Sequence, residues 1–220
     1  MGGAANRRGA RVGEVVAVVG GGALLAGSWM AVAIDERVPI WEARVFDALN
    51  GLPGGIWPVV WLPMQTGSLI GSIVVVGATG LASRDTRLTL AALVASQAGY
   101  WSAKGVKGLV SRGRPSAFLA DVHVREKVGG LGYASGHAAV AFALAAVLAP
   151  SLPARWRPVA FVIAAVVALA RVYGGVHLPL DVVGGTGLGL LCGVFSRWAF
   201  GLGGEGLPPR VSRSARGAPR

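Results

Sequence analysis

The chain has 220 residues, 53% of them hydrophobic and only 14% charged, with a mean hydropathy of +0.59 and a net charge of +11. A soluble domain carries about a quarter charged residues, so the composition excludes an ordinary soluble globule. The length allows one compact bundle and no large additional domain.

Apolar runs alternate with short charged joints, the pattern of repeated membrane crossings. Residues 1–11 form a basic leader with Arg7, Arg8 and Arg11. The run 12–34 contains Ala23, Ala26 and Gly27 and has some features of a signal peptide. It is long enough to span and more spans follow, so it is read as a retained first helix. A polar segment comes next, where Ile40, Trp41, Val45, Phe46 and Leu49 among Glu42, Arg44 and Asp47 predict a short interfacial helix. Gly51, Pro53, Gly54 and Gly55 end it, and Trp57 and Trp61 fit an aromatic belt opening a second span that runs to about Ala82. Arg84, Asp85 and Arg87 join it to a third span over 88–110.

The longest polar stretch is 111–133. Its His123, Asp121, Arg125, Glu126 and Lys127 are expected to be solvated. Spans four, five and six are expected over 135–149, 159–173 and 178–200, with 201–220 a disordered basic tail. The single Cys192 lies in an apolar run and reads as a packing residue. The expected fold is therefore all-α, a polytopic membrane bundle of about six helices over 12–200. Small residues in the spans favour close helix packing.

Charge sets an orientation. With a cytoplasmic N-terminus and six spans, the inner segments carry net +9 and the outer ones +2. The positive-inside bias then places both termini in the cytoplasm of a multi-pass plasma-membrane protein. It also places the end of span three, the start of four, the end of five and the start of six on one outer face.

Three polar clusters lie at those four ends. Lys107 is followed after six residues by Arg114-Pro115. Ala134-Ser135-Gly136-His137 opens span four. Arg171 is followed by His177 and then Asp181. His177 and Asp181, four apart, share one helix face, so the carboxylate can fix the imidazole tautomer and free the other ring nitrogen as a nucleophile. The cluster taken alone fits a topology-setting Arg and a dipole-favouring Asp equally well. The N–H groups of Ser135, Gly136 and His137 suit an anion cradle, and Ser135 equally suits a plain helix cap. Lys107, Arg112 and Arg114 alone fit snorkelling flank charges. Together, three cations, a helix N-terminus, two His and an Asp at one face call for a multiply charged anion.

These clusters resemble the signature of the type 2 phosphatidic acid phosphatase superfamily, also called the lipid phosphate phosphatase family, written KxxxxxxRP, PSGH and SRxxxxxHxxxD. Order and spacing match over 107–181, with Ala134 in place of the usual Pro and Ala170 in place of the usual Ser. The departures remove no charge and no nucleophile, so an altered rate or substrate choice is expected, not inactivity. The resemblance implies a phosphatase in which His177 is the nucleophile that forms a phosphohistidine, and Asp181 orients it. His137 protonates the leaving oxygen and then activates water. Lys107, Arg114, Arg171, Ser135 and Gly136 bind phosphate.

No cofactor or metal is expected, because three neighbouring cations repel a divalent ion and already neutralise phosphate. The expected partners are the bilayer and a lipid phosphate or diphosphate, such as polyprenyl diphosphate, phosphatidic acid or phosphatidylglycerol phosphate. The alternatives are a phosphatase of soluble esters, a non-catalytic headgroup-binding or transport protein, and vanadate-dependent haloperoxidase chemistry. No feature suggests nucleic acid, and none specifies an oligomeric state.

Overall fold

A computed structural model describes residues 2–34 and 37–204, with side chains from residue 11 onward. Asp35, Glu36 and most of the expected tail, from 205, lie outside the described residues. The described residues form eight α-helices linked by turns and short 3-10 segments. They are α1 (Gly2–Ile34), α2 (Ile40–Asn50), α3 (Trp57–Gln65), α4 (Leu69–Ser83), α5 (Thr86–Val110), α6 (Gly136–Leu148), α7 (Arg157–Tyr173) and α8 (Pro179–Ala199). No strand occurs among them. The all-helical membrane bundle read from the sequence is thus the fold observed.

Helix ends follow local chemistry. The Ser68 hydroxyl caps α4 by accepting from Gly71 N–H at 3.0 Å, and Asp85 caps α5 by accepting from Leu88 N–H at 3.0 Å. Helix α1 begins inside the basic leader and runs unbroken through the first expected span.

The centre of the bundle is α6, apolar all round and buried along most of its length. A helix of that kind belongs inside a bundle rather than at its surface. It packs chiefly against α8, α5 and α7, while α1 lies along the other side of α8. The glycines of α8 permit these approaches. A Cβ at Gly185, Gly189 or Gly193 would run into the backbone carbonyl of Ser135, Ala139 or Ala143 in turn, and one at Gly187 into that of Gly21 on α1. Close backbone packing through small residues is how membrane helices associate when no hydrophobic driving force acts between them.

Among the described residues three helices, within Arg11–Ile34, Ala154–Tyr173 and Pro179–Ala199, are long and apolar enough to cross a membrane, or four if the bent pair α3–α4 is one span. The second expected span is therefore not one run: α3 and α4 meet at 59°. Pro63 lacks the N–H that would continue the ladder, and Thr66-Gly67-Ser68 forms the break. A Cβ at Gly67 would lie 2.7 Å from the His137 carbonyl, so the break is pressed against the start of α6.

Candidate active site

Four helix ends converge at one end of the bundle: the last turns of α5 and α7 and the first turns of α6 and α8. The turn from α7 into α8 brings Arg171 and His177 together. Gly175 makes that turn possible, with a φ of +74° and the His123 carbonyl so close that a Cβ would collide with it. The N–H groups of Val176 and His177 both donate to the Arg171 carbonyl at 3.2 Å.

His177 is buried, and Asp181 fully so. The imidazole Nδ1 lies 3.3 Å from Asp181 Oδ2, and Nε2 lies 3.1 Å from an Arg114 guanidinium nitrogen. A guanidinium only donates, so Nε2 is the acceptor and the ring proton sits on Nδ1, facing the carboxylate. Burial first, and then Lys107, Arg114 and Arg171 nearby, hold the His177 pKa well below its ordinary value. The geometry thus presents a neutral imidazole with its Nε2 lone pair directed at a cation.

The cations expected to bind phosphate are held mainly by one loop. Lys107 Nζ donates to the carbonyls of Leu131 at 2.9 Å and Gly132 at 2.6 Å. Arg114 donates to Gly129 and Gly130 carbonyls at 3.1 Å each, and to Val176 at 2.6 Å. Arg171 pairs with the Glu126 carboxylate and touches Met64 Sδ at 3.4 Å. Two buried polar atoms here have no hydrogen-bond partner, Arg171 Nε and Ser135 Oγ. Buried polar groups are almost always satisfied, so both atoms are open to a further partner. His137 opens α6 within electrostatic reach of Arg171, His177, Arg114 and Lys107.

All eight residues singled out from the sequence lie at this end. Three details differ from expectation. The Ser135 N–H is not free for an anion, because it donates to the Asp181 carbonyl at 2.8 Å. The Ser135 side chain does not cap α6. Two loop residues expected in solvent carry structure instead: Glu126 pairs with Arg171, and Arg125 donates to the carbonyls of Asn50, Leu52 and Tyr173 while covering the Tyr173 ring at 4.0 Å.

Two groups were missed. Arg112 bridges Asp181 Oδ1 at 3.0 Å and both oxygens of Glu42, at 3.1 and 2.6 Å. Glu42 is fully buried. The signal for it was present, since Glu42, Phe46 and Asn50 are four apart and form one inward stripe of α2. No three His, Cys, Asp or Glu side chains converge as a metal site among the described residues.

The family model described as the PAP2 superfamily matches residues 87–202, more than half the chain and all three motifs. The chain belongs to the PAP2 superfamily. Two solved structures share the PAP2 fold. LpxE of Aquifex aeolicus aligns with a TM-score of 0.62 at 23% identity, covering 70% of this chain and 93% of its own. A transmembrane PAP2 type phosphatidylglycerolphosphate phosphatase from Bacillus subtilis aligns with a TM-score of 0.64 at 23% identity, covering 84% and 96%. No curated protein sequence matches this PAP2 chain.

Proposed function

We propose that this PAP2-superfamily protein is a membrane lipid phosphatase that removes phosphate from a lipid monoester or diphosphate through a phosphohistidine on His177. The observation that carries the reading is the pairing of the two ring nitrogens: Nδ1 toward Asp181, Nε2 toward a cationic cradle. The Nε2 lone pair attacks phosphorus as the bond to the leaving oxygen breaks, and His137 gives that oxygen its proton. Asp181 faces the positive charge that develops on the ring. In the second step His137 takes a proton from water, whose oxygen attacks phosphorus. The P–N bond breaks, and its electron pair returns to Nε2. Lys107, Arg114 and Arg171 hold the equatorial oxygens and their charge, with Ser135 Oγ and the Gly136 N–H completing the cradle. These cations do the electrostatic work that a divalent metal does elsewhere, so hydrolysis is metal-independent.

The chain crosses the plasma membrane six times, as α1, the α3–α4 pair, α5, α6 with its 3-10 extension, α7 and α8. Residues 1–11 and 201–220 are cytoplasmic flanks, and the site faces outward. The charge asymmetry of the connecting segments supports that orientation. A site where four helix ends meet lets a lipid keep its tails in the bilayer with its head at His177. The Bacillus subtilis neighbour makes phosphatidylglycerol phosphate the first substrate to try, alongside phosphatidic acid and polyprenyl diphosphate.

The test is phosphate release by purified protein in detergent with EDTA, for each lipid and for a water-soluble phosphate ester. Release from a lipid is expected, with His177→Ala folded but silent. Undiminished turnover by His177→Ala overturns the nucleophile assignment, and complete, metal-reversible loss in EDTA overturns metal independence.

A further inference from the structure

Asp181 is not alone behind His177. Its Oδ2 accepts from the Leu178 N–H at 2.9 Å and faces His177 Nδ1, while its Oδ1 accepts from Arg112 at 3.0 Å. Arg112 spends its other contacts on Glu42, using both terminal nitrogens. Glu42 Oε1 also accepts from the Leu180 N–H at 2.8 Å. Pro179 has no N–H, so Leu178 and Leu180 offer the accessible donors at the start of α8, and each is taken by one of the two acids. The helix N-terminus itself favours negative charge. Two carboxyl groups and a guanidinium from three segments, α2, the loop and α8, are thereby locked together out of water.

The charge count gives this arrangement its consequence. Asp181 with Arg112 alone is a neutral pair, and a neutral pair does little for a positive charge developing on His177. Glu42 returns the missing negative charge, so the buried trio carries net −1. It also takes two of the three Arg112 hydrogen bonds to the acids, so that Arg112 meets Asp181 through Oδ1 alone and Oδ2 faces the imidazole. The other charges near His177 are Lys107 from α5, Arg114 from the loop and Arg171 from α7, the last paired with the negative Glu126. His137 stands nearby on α6. The trio supplies the counter-charge on the Nδ1 side through Asp181.

We infer that Glu42 and Arg112 are positioning residues for the reaction at His177, acting through Asp181, and that Glu42 keeps Asp181 effectively anionic toward the imidazole. Arg112, although it stands inside the first motif beside Arg114, is not a phosphate ligand: its terminal nitrogens face the two carboxylates. Glu42 lies outside the stretch that the family model matches. The inference rests on the phosphatase reading for its kinetic consequence, but not for its structural one.

The experiment compares wild type, Glu42→Gln and Arg112→Lys by lipid phosphate release and by ¹⁵N–¹H NMR of histidine-labelled protein in micelles. The chain has only three histidines, so His123→Ala and His137→Ala assign the His177 ring. Glu42→Gln is expected to lower kcat roughly tenfold or more, with KM changed less than twofold, in the range for groups that orient a reacting imidazole from behind. The Nδ1–H resonance of His177 is expected to shift or be lost to exchange, while His123 is unmoved. A purely structural Glu42 would lower the folded fraction and leave kcat per folded molecule and the His177 resonance in place; that result overturns the inference. Should Glu42→Gln fail to fold, Arg112→Lys, which keeps the cation but cannot bridge both acids, is expected to give the same kcat loss and resonance change, and their absence overturns it equally. If wild type releases no phosphate from any substrate, the phosphatase reading fails, while the NMR comparison still decides the Glu42–His177 coupling.

Discussion

Arginines are buried at both ends of α8, and they are held in different ways. At the end away from the site, Arg197 donates to the carbonyls of Val147 and Leu202, with the Glu14 carboxylate 3.8 Å away. Its acceptors belong to the end of α6 and to the turn that follows α8. At the site end, Lys107, Arg114 and Arg171 donate mainly to one loop, through five groups between Glu126 and Gly132. Burial of charge is common to both ends, so burial alone does not mark a site. An unpartnered guanidinium nitrogen does not mark it either, since Arg171 Nε and Arg197 Nε both lack a hydrogen-bond partner; what distinguishes the site end is that the unpartnered Ser135 hydroxyl and the His177 imidazole stand among its cations.

The comparison breaks most visibly if a site cation is removed. Arg171→Ala takes away a donor poised for developing charge, and a loss on the order of a hundred- to a thousandfold in kcat is expected. Arg171→Lys recovers only part of it, since a point charge cannot reproduce the guanidinium fork. Single-turnover kinetics with the lipid substrate reads this directly. An Arg171→Ala enzyme within threefold of wild type would mean that Glu126, and not phosphate, is the natural partner of Arg171.

The far end should respond in the opposite currency. Arg197→Met leaves the Val147 and Leu202 carbonyls unmet, each at a cost of about 1–3 kcal/mol. The thermal midpoint in detergent should fall by several degrees, with kcat per folded molecule unchanged. A fall in kcat without a fall in midpoint would erase the distinction between the two ends.

The sequence carried the site better than it carried the site's surroundings, for a physical reason. Lys107 and Arg114 flank the end of α5, and His177 and Asp181 flank the start of α8, so short separation along the chain keeps each pair close and makes it legible in the sequence. Glu42 reaches Arg112 only because α2 docks against the start of α8, a contact with no local signature beyond the stripe it shares with Phe46 and Asn50. Arg125 and Glu126 read as solvated because their partners, the carbonyls at the ends of α2 and α7 and the donating guanidinium on α7, are supplied by distant parts of the chain. The bend between α3 and α4 was signalled by Pro63 and by Gly67-Ser68, but hydropathy averaged over a window runs across such a break. Apolar runs were legible as composition; the break within one of them, between α3 and α4, lies against the start of α6.

Glu126 gives the smallest effect and the sharpest test of exchangeability. Its side chain is 27% exposed, so its bond to Arg171 is partly screened by solvent and modest in strength. A phosphate oxygen that takes the same Arg171 terminal nitrogen displaces it, and the energy of that displacement is subtracted from substrate affinity. Glutamine can still accept a hydrogen bond but brings no charge, and charge-assisted bonds are roughly twice as strong as neutral ones. Glu126→Gln is therefore expected to lower KM about two- to fivefold, with kcat little changed; fivefold corresponds to ~1 kcal/mol. Inhibition by inorganic phosphate should tighten by the same factor, because free phosphate meets the same competitor. A lower KM without tighter phosphate inhibition would place Glu126 against the lipid headgroup and not against the phosphate. An increase in both constants would make the Glu126–Arg171 pair a fixed brace, held as firmly as Arg197 is at the other end of the bundle.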